Sequence, residues 1–159
     1  MKRSVLAAIA AGLLLSGPAA SVAPSSDPLS RMFAWWDAAF KQKDGFTAES
    51  FRRYFTDDAT LTLEGKTVIH GIPEWVEHFR TIQASGREVE IVVPFKDVFQ
   101  KGSRIYTYHI IRSRGGGKVG CMIAAGDATL EGGKISSIRL VRADLDDTAR
   151  AKEADCWQK

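Results

Sequence analysis

The sequence predicts an α+β domain in which three N-terminal helices pack on one face of a curved antiparallel sheet. In the first half of the chain, apolar residues recur at three- and four-residue steps, which is the period of a helix face. In the second half they alternate with polar residues, and glycine-containing turns separate the alternating runs, as expected for consecutive antiparallel strands. A long twisted sheet wrapped around helices leaves a conical cavity, so we expect any binding site there.

The N-terminus has the pattern of a secretory signal peptide. Lys2 and Arg3 precede an apolar run over residues 5–15, and the small residues Ser21 and Ala23 suit the cleavage enzyme. We therefore predict a signal peptide over residues 1–23, cleaved after Ala23, and export to a bacterial periplasm or to the cell exterior. The apolar run is too short to span a bilayer, so we expect no stable membrane anchor.

The charge of the mature chain is close to neutral. The full sequence of 159 residues has 22 Lys and Arg against 19 Asp and Glu, a formal charge of +3. Without Lys2 and Arg3 there are 20 basic and 19 acidic residues, a charge of +1. Such a balance gives little long-range attraction to nucleic acid, and a small basic cluster is interpreted as a solvated hairpin tip: Arg104, Arg112, Arg114 and Lys118.

Three helices are predicted after a flexible Ser/Pro-rich leader at residues 24–28. The first extends from Leu29 to about residue 43 on its apolar period. Thr47 is placed to cap the second, which the acidic pair at residues 57–58 would end. Pro73 suits the first turn of the third, which ends near residues 84–86.

The remaining segments predict strands. Residues 60–63 and 67–70 form a short hairpin, and four long strands follow at residues 88–98, 103–113, 118–130 and 134–143. The globular domain would then cover residues 29–147, with a C-terminal tail at residues 148–159. Export would allow Cys121 and Cys156 to form a disulfide; the alternative is one buried thiol and one thiol in a frayed tail.

Three motifs resemble the nuclear transport factor 2-like superfamily, a cystatin-like α+β cone, and specifically its SnoaL-like (polyketide cyclase-type) branch. They are the segment Tyr54-Phe55-Thr56-Asp57-Asp58-Ala59-Thr60, the pair His70-Gly71 that opens a helix, and the closing hairpin at residues 130–135. The resemblance implies an aromatic-lined pocket in the cone and a homodimer formed through the sheet face. It does not select a chemistry, because the fold carries enzymes, adaptors and binding domains.

Ketosteroid isomerase relatives of this fold use a carboxylate base and an oxyanion site built from tyrosines and a second acid. Carried over residue by residue, the base position falls on Leu63, which cannot accept a proton. The oxyanion tyrosine falls near Trp35, its two supporting tyrosines near Phe55 and Phe79, and the second acid at Gly126 or Asp127. We therefore expect no isomerase chemistry of that type.

Three polar residues remain as candidates. Asp127 lies among apolar residues and could act as an acid or base with a raised pKa, although strand parity with Leu130 directs it to the outer face. The resemblance turns Tyr106 and Tyr108 inward, where Tyr108 could donate to a bound carbonyl or be a plain core tyrosine. Arg142 could orient a carboxylate at the cavity mouth, or be a surface arginine paired with Asp144 or Glu131.

The sequence thus predicts an exported domain that binds a small apolar or amphipathic molecule without a cofactor. The predicted lining is Trp35, Phe55, Leu63, Phe79, Tyr106, Tyr108, Ile138, Leu140 and Arg142. One alternative is a general acid–base hydrolase, cyclase or isomerase that uses Asp127 and Tyr108. Another is an interaction domain with a collapsed pocket. No metal site is expected, because the spacing of His70, His78 and His109 does not match metal ligands.

Overall fold

The structure, a computed structural model, describes residues 27–158. The predicted signal peptide and the first residues of the leader lie outside this range. Within it the elements are α1 (Pro28–Phe40), α2 (Ala48–Arg52), β1 (Phe55–Leu63), β2 (Lys66–His70), α3 (Gly71–Ala84), β3 (Glu88–Ile91), β4 (Asp97–Lys101), β5 (Arg104–Gly115), β6 (Lys118–Glu131), β7 (Lys134–Asp144) and α4 (Asp147–Lys152). The chain therefore has a fourth helix that the sequence did not predict.

The strands form one seven-stranded sheet in the order β2-β1-β7-β6-β5-β3, and β4 pairs with the same strand β5 as β3 does. The central strands β5, β6 and β7 are antiparallel, as predicted. However, β1 pairs with β7 in parallel, so the sheet is mixed. The prediction of a wholly antiparallel sheet is wrong because β1 forms its antiparallel hairpin with β2 on one edge and meets β7 on the other.

Two predicted boundaries are also wrong. The strand expected over residues 88–98 is divided into β3 and β4, and the interruption contains Pro94, which has no N–H to donate to a sheet. The second helix ends at Arg52, and the acidic pair at residues 57–58 lies within β1. Pairing with β7 and burial of Phe55 against the aromatic core override the helical spacing of Phe51 and Phe55.

Helices α1, α2 and α3 pack their apolar residues against one face of the sheet, which we call the inner face. Helix α1 begins inside the predicted leader, because the Asp27 side chain accepts a hydrogen bond from the Ser30 amide at 2.9 Å. Thr47 caps α2 as predicted, accepting from the Ser50 amide at 3.1 Å. Between the helices and the sheet lies a core rich in aromatic rings, including Phe33, Trp36, Phe46, Phe51, Phe55, Trp75 and Phe79.

The C-terminal segment packs on the outer face of the sheet. Cys121 and Cys156 form a disulfide with Cα atoms 5.8 Å apart, and together with Ile110 they make a small buried cluster. On the loop-entropy model, closing this loop of 35 residues constrains the unfolded chain by about 4 kcal/mol. Trp157 stacks under the guanidinium groups of Arg112 and Arg114, at 4.8 and 4.4 Å. Arg112 is therefore packed and not solvated as we expected, whereas the Arg114 side chain remains 57% exposed near the hairpin tip.

Candidate functional site

A cavity of about 210 Å³ lies between the inner face of the sheet and the helices α1 and α3. On the sheet side, strands β1, β3, β5, β6 and β7 contribute to its lining. The sheet provides most of the floor and the two helices provide an aromatic wall. The lining is Phe33, Trp36, Leu61, Leu63, Trp75, His78, Phe79, Ile82, Arg87, Val89, Ile91, Ile111, Ser113, Met122, Ile138, Leu140 and Arg142.

The aromatic wall is a fixed arrangement of rings. Trp36 meets Phe79 edge to face with centroids 4.9 Å apart, and Trp75 stacks on Phe79 at 5.6 Å. The Trp75 indole donates to the carbonyl of Ala59 at 3.0 Å, which fixes its orientation. The Trp36 Nε1 is also buried, but it has no hydrogen-bond partner among the described residues. The wall therefore offers shape and apolar surface, with one unused donor on a residue of that wall.

The polar residues of the lining are basic or neutral. Arg142 makes two hydrogen bonds to the Glu64 carboxylate, at 2.9 and 3.0 Å, and this contact keeps the pKa of Glu64 below its usual range. Arg87 donates to the Ser113 hydroxyl at 3.3 Å. His78 meets Phe79 edge on, and desolvation there lowers its pKa, so it is neutral at pH 7. None of the described residues that line the cavity is Asp or Glu.

Two titratable groups with strongly shifted pKa values lie outside this lining. His109 is 1% exposed between Phe33 and Phe95, and burial lowers the pKa of its imidazole to about 4. Asp37, on α1, is only partly buried. Desolvation and the nearby Glu90 carboxylate raise its pKa to about 7. We interpret both groups as determinants of stability, because neither contributes to the cavity wall.

No family model and no curated protein matches the sequence. Among solved structures, an NTF2-like protein of unknown function from Exiguobacterium sp. 255-15 is similar at 22% identity, over 75% of this chain and 98% of its own, with a TM-score of 0.58. A putative SnoaL-like polyketide cyclase from Jannaschia sp. CCS1 is 17% identical over 72% and 82%, with a TM-score of 0.55. The chain has the nuclear transport factor 2-like fold.

The chemistry of the NTF2-like neighbours differs from one to the next. An LEH-like epoxide hydrolase of M. tuberculosis also superposes on the chain, at 15% identity over 72% of this chain and 84% of its own, with a TM-score of 0.53. At these identities the comparison establishes the fold and leaves the function to be argued from the site. The cone-shaped α+β domain expected from the sequence is confirmed.

The NTF2-like cone places five of the predicted lining residues in the cavity: Leu63, Phe79, Ile138, Leu140 and Arg142. Trp35 and Phe55 lie elsewhere. Trp35 packs against Phe46, Phe51 and Tyr54, away from the lining, and Phe55 is buried behind Trp75. The neighbouring Trp36 occupies the cavity position that was assigned to Trp35. Whether the five residues bind a ligand remains a prediction.

The inward orientation expected for Tyr106 and Tyr108 is wrong. Their neighbours Ile105 and Thr107 are buried on the inner face, so the alternation of β5 places both tyrosines on the outer face. There Tyr106 stacks on the exposed ring of Phe99, with centroids 4.8 Å apart. Ile105 and Thr107 are buried, whereas Tyr106 and Tyr108 are only half-buried.

Asp127 also lies on the outer face, in agreement with the parity of its strand. Arg139 donates to both of its carboxylate oxygens, at 2.8 and 3.1 Å, and Arg104 lies 3.5 Å away. Asp127 and Tyr108 do line a common hollow, but it is shallow and on the opposite side of the sheet from the cavity. The assignment of these two residues to acid–base chemistry in the cone is therefore wrong.

At Gly126 the structure explains the absence of an acid. A Cβ atom there would lie 1.9 Å from the carbonyl oxygen of Arg139, so the pairing of β6 with β7 leaves no room for any side chain. Leu63 extends into the cavity at the position of the isomerase base. Neither position could supply the carboxylate that isomerase chemistry needs.

Sequence reasoning missed most of the polar lining. Arg87 and Ser113 belong to no recognisable sequence motif. Arg87 simply follows the end of a helix, and Ser113 is one of the alternating residues of a long strand. Trp36 and Trp75 were recognised only as members of helix faces. Among the described residues no group of His, Cys, Asp and Glu could hold a metal ion. No helix within residues 27–158 is long and apolar enough to cross a membrane.

Proposed function

We propose that this protein is an exported binding domain that holds a small apolar or amphipathic molecule in its cone, without ketosteroid isomerase chemistry. The observation that carries the proposal is the cavity of about 210 Å³, walled mainly by aromatic and aliphatic side chains. A concave apolar site with a few polar groups at its edge is the usual form of a small-molecule site. The NTF2-like fold supports this interpretation, because its cone is built around such a cavity.

The volume limits the size of the ligand. An engineered apolar cavity of about 150 Å³ accommodates benzene. A cavity of about 210 Å³ therefore suits a single ring with a short side chain, or a chain of about six to eight carbons. A hydrogen-bond acceptor on the ligand could satisfy the Trp36 Nε1, which otherwise costs free energy as a buried unpaired donor.

Two adjacent residues of β7 provide a matched test. Leu140 lines the cavity, whereas Val141 is 61% exposed on the outer face. We expect Leu140→Phe to reduce the cavity volume and weaken binding of a single-ring ligand about tenfold or more, while Val141→Phe leaves the affinity unchanged. Binding would be followed by titration calorimetry and by the fluorescence of Trp36 and Trp75. Equal affinities in the two variants would contradict the proposal.

Native mass spectrometry of protein purified from its own host would identify the ligand. A retained molecule should give a mass in the range that the cavity allows, and the Leu140→Phe variant should retain less of it than the Val141→Phe variant. If a retained molecule is equally abundant in both variants, it is bound somewhere other than the cone.

Export is part of the proposal, and the Cys121–Cys156 disulfide supports it, because disulfides persist in oxidising compartments. Intact mass measurement of the protein in a periplasmic or culture fraction should give a chain that starts after Ala23. Reduction and alkylation should then add two labels. A full-length chain in the cytosolic fraction with free thiols would contradict this part.

We also propose that the outer face of the sheet forms a homodimer. Phe99 and Val141 are each 61% exposed on this face, where they flank the hollow that Tyr106 and Tyr108 line. Light scattering should show a dimer, and Val141→Asp should convert it to a monomer that still binds ligand. A wild-type monomer at micromolar concentration would contradict the proposal.

A further inference from the structure

Arg87 is placed at the cavity by the turn that follows α3. The helix ends at Ala84, Ser85 forms its C-cap, and Gly86 has a φ of 70°, which reverses the chain before β3. Arg87 is the residue between this turn and the first residue of β3, and it lines the cavity. Its Nη2 donates to the hydroxyl of Ser113 at 3.3 Å. Arg87 is an exposed residue whose side chain thus reaches from the start of β3 to Ser113 of β5 at the edge of the cavity.

Ser113 is a buried hydroxyl on an otherwise apolar part of the sheet. It lies on the inner face of β5, is 4% exposed, and pairs across the sheet with Gly120 of β6. A Cβ atom at position 120 would come within 2.8 Å of the Ser113 Oγ. The missing side chain at Gly120 therefore makes the space in which the Ser113 hydroxyl and the Arg87 guanidinium meet.

The two arginines of the lining differ in their neutralisation. Both oxygens of the Glu64 carboxylate accept hydrogen bonds from Arg142. Arg87 forms no ion pair with any carboxylate among the described residues, and Ser113 is neutral. The Arg87 end of the cavity therefore carries an unbalanced positive charge beside a buried donor and an apolar interior.

We propose that Arg87 and Ser113 form a carboxylate subsite, so that the ligand is a small apolar monocarboxylate. This proposal rests on the proposed function, because it needs the apolar part of the ligand inside the cone. The guanidinium fork matches a carboxylate geometrically, and the Ser113 hydroxyl supplies a further donor. The hydrocarbon part then lies against Trp75 and Phe79.

The test compares 3-phenylpropionate with its neutral amide, two ligands of the same size and shape. Titration calorimetry with the full mature chain at pH 7 should give a ten- to hundredfold preference for the carboxylate, the range expected for a charge-assisted hydrogen bond. Arg87→Gln should reduce the preference to less than about threefold and leave the affinity for the amide unchanged. Ser113→Ala should reduce it partly.

Arg139→Gln is the matched control, because it removes the same charge from the outer face of the same sheet. It should keep the full preference, which separates a specific contact from the effect of net charge. Gly120→Ala should act like Ser113→Ala, because its methyl group would displace the Ser113 hydroxyl. Far-ultraviolet circular dichroism would verify that each variant is folded.

The outcomes separate this proposal from the proposed function. If both ligands bind with equal affinity, or if Arg87→Gln keeps the preference, the carboxylate subsite is refuted and the binding cavity stands. If neither ligand binds to the wild-type protein and Leu140→Phe changes nothing for other single-ring compounds, both proposals fail. If the control Arg139→Gln loses the preference as well, the effect is one of general charge and the subsite is refuted.

Discussion

Burial of His109 should make the protein sensitive to mild acid. The imidazole is 1% exposed and its Nδ1 lies 3.2 Å from the Thr107 hydroxyl, while its Nε2 has no partner among the described residues. Protonation would place an unpaired charge between Phe33 and Phe95, so the pKa falls from 6.5 to about 4. Between these two values the unfolded chain binds a proton that the folded chain does not.

The size of the pKa shift of His109 determines how much stability the folded chain loses in acid. A shift from 6.5 to about 4 corresponds to a loss of about 3 kcal/mol of stability as the pH falls through that window. His109→Leu removes the group and its contribution. We expect the variant to match or exceed the wild type in stability at pH 4.5, although at pH 7.5 it loses the contact with Thr107.

Asp37 should have the opposite dependence. Its pKa of about 7 in the folded chain lies above the ordinary value of 3.8, so the folded chain binds the extra proton between these values and gains stability as the pH falls. The full shift would correspond to about 4 kcal/mol, and the partial exposure of this carboxyl to solvent reduces the effect to about 2 kcal/mol. The two groups partly cancel in the wild type, and Asp37→Asn should reveal the full effect of His109.

Urea unfolding followed by tryptophan fluorescence at half-unit steps from pH 4.5 to 8 would measure both effects. The difference between His109→Leu and wild type should favour the variant increasingly as the pH falls. The difference for Asp37→Asn should favour that variant increasingly as the pH rises towards 8. Parallel stability curves for His109→Leu and wild type would show that the imidazole titrates normally, and would refute the reasoning.

Three further substitutions test the division between cavity and outer face. Asp127→Asn should leave the affinity for a cavity ligand within about twofold, because the carboxylate lies on the far side of the sheet, and a large loss in calorimetry would contradict this placement. Gly126→Ala should lower the free energy of unfolding in urea by about 2 kcal/mol or more, because the added methyl group overlaps the carbonyl oxygen of Arg139. An unchanged unfolding midpoint would contradict the close approach of β6 and β7 at this position. Glu64→Gln should release Arg142 and raise the affinity for 3-phenylpropionate about two- to fivefold but not that for its amide, and an equal gain for both ligands would contradict the charge argument.

Local pattern predicted the elements well where one face of an element is buried. The helix over α1 and the outward parity of Asp127 follow from the spacing of apolar residues, and the cap at Thr47 follows from the capping preference of threonine; all three are confirmed. The same alternation applied to β5 would have placed Tyr108 outward. The resemblance instead suggested an inward orientation, and the burial of Ile105 and Thr107 shows that alternation was the better guide.

Local pattern failed where tertiary contacts decide. For Trp35 the resemblance was at fault, because the helical period already places Trp36 and not Trp35 on the apolar face with Phe33, and Trp36 is the residue in the lining. Arg87 follows a helix terminus like any loop residue, and its role depends on Ser113, which is 26 residues away. The parallel pairing of β1 with β7 depends on the closure of the whole sheet. Such features need the folded arrangement and not the local sequence.

The charges at the cavity mouth also limit which anions it can accept. Arg87 and Arg142 contribute two positive charges, Glu64 cancels one of them, and the lowered pKa of His78 keeps its imidazole neutral at pH 7. The mouth is therefore matched to a monoanion. A dianion such as a phosphate monoester would have to displace Glu64 from Arg142 or leave a charge unpaired at the edge of an apolar cavity. We therefore expect Glu64 to compete with an anionic ligand for Arg142, so that removing its charge should broaden the range of anions that bind.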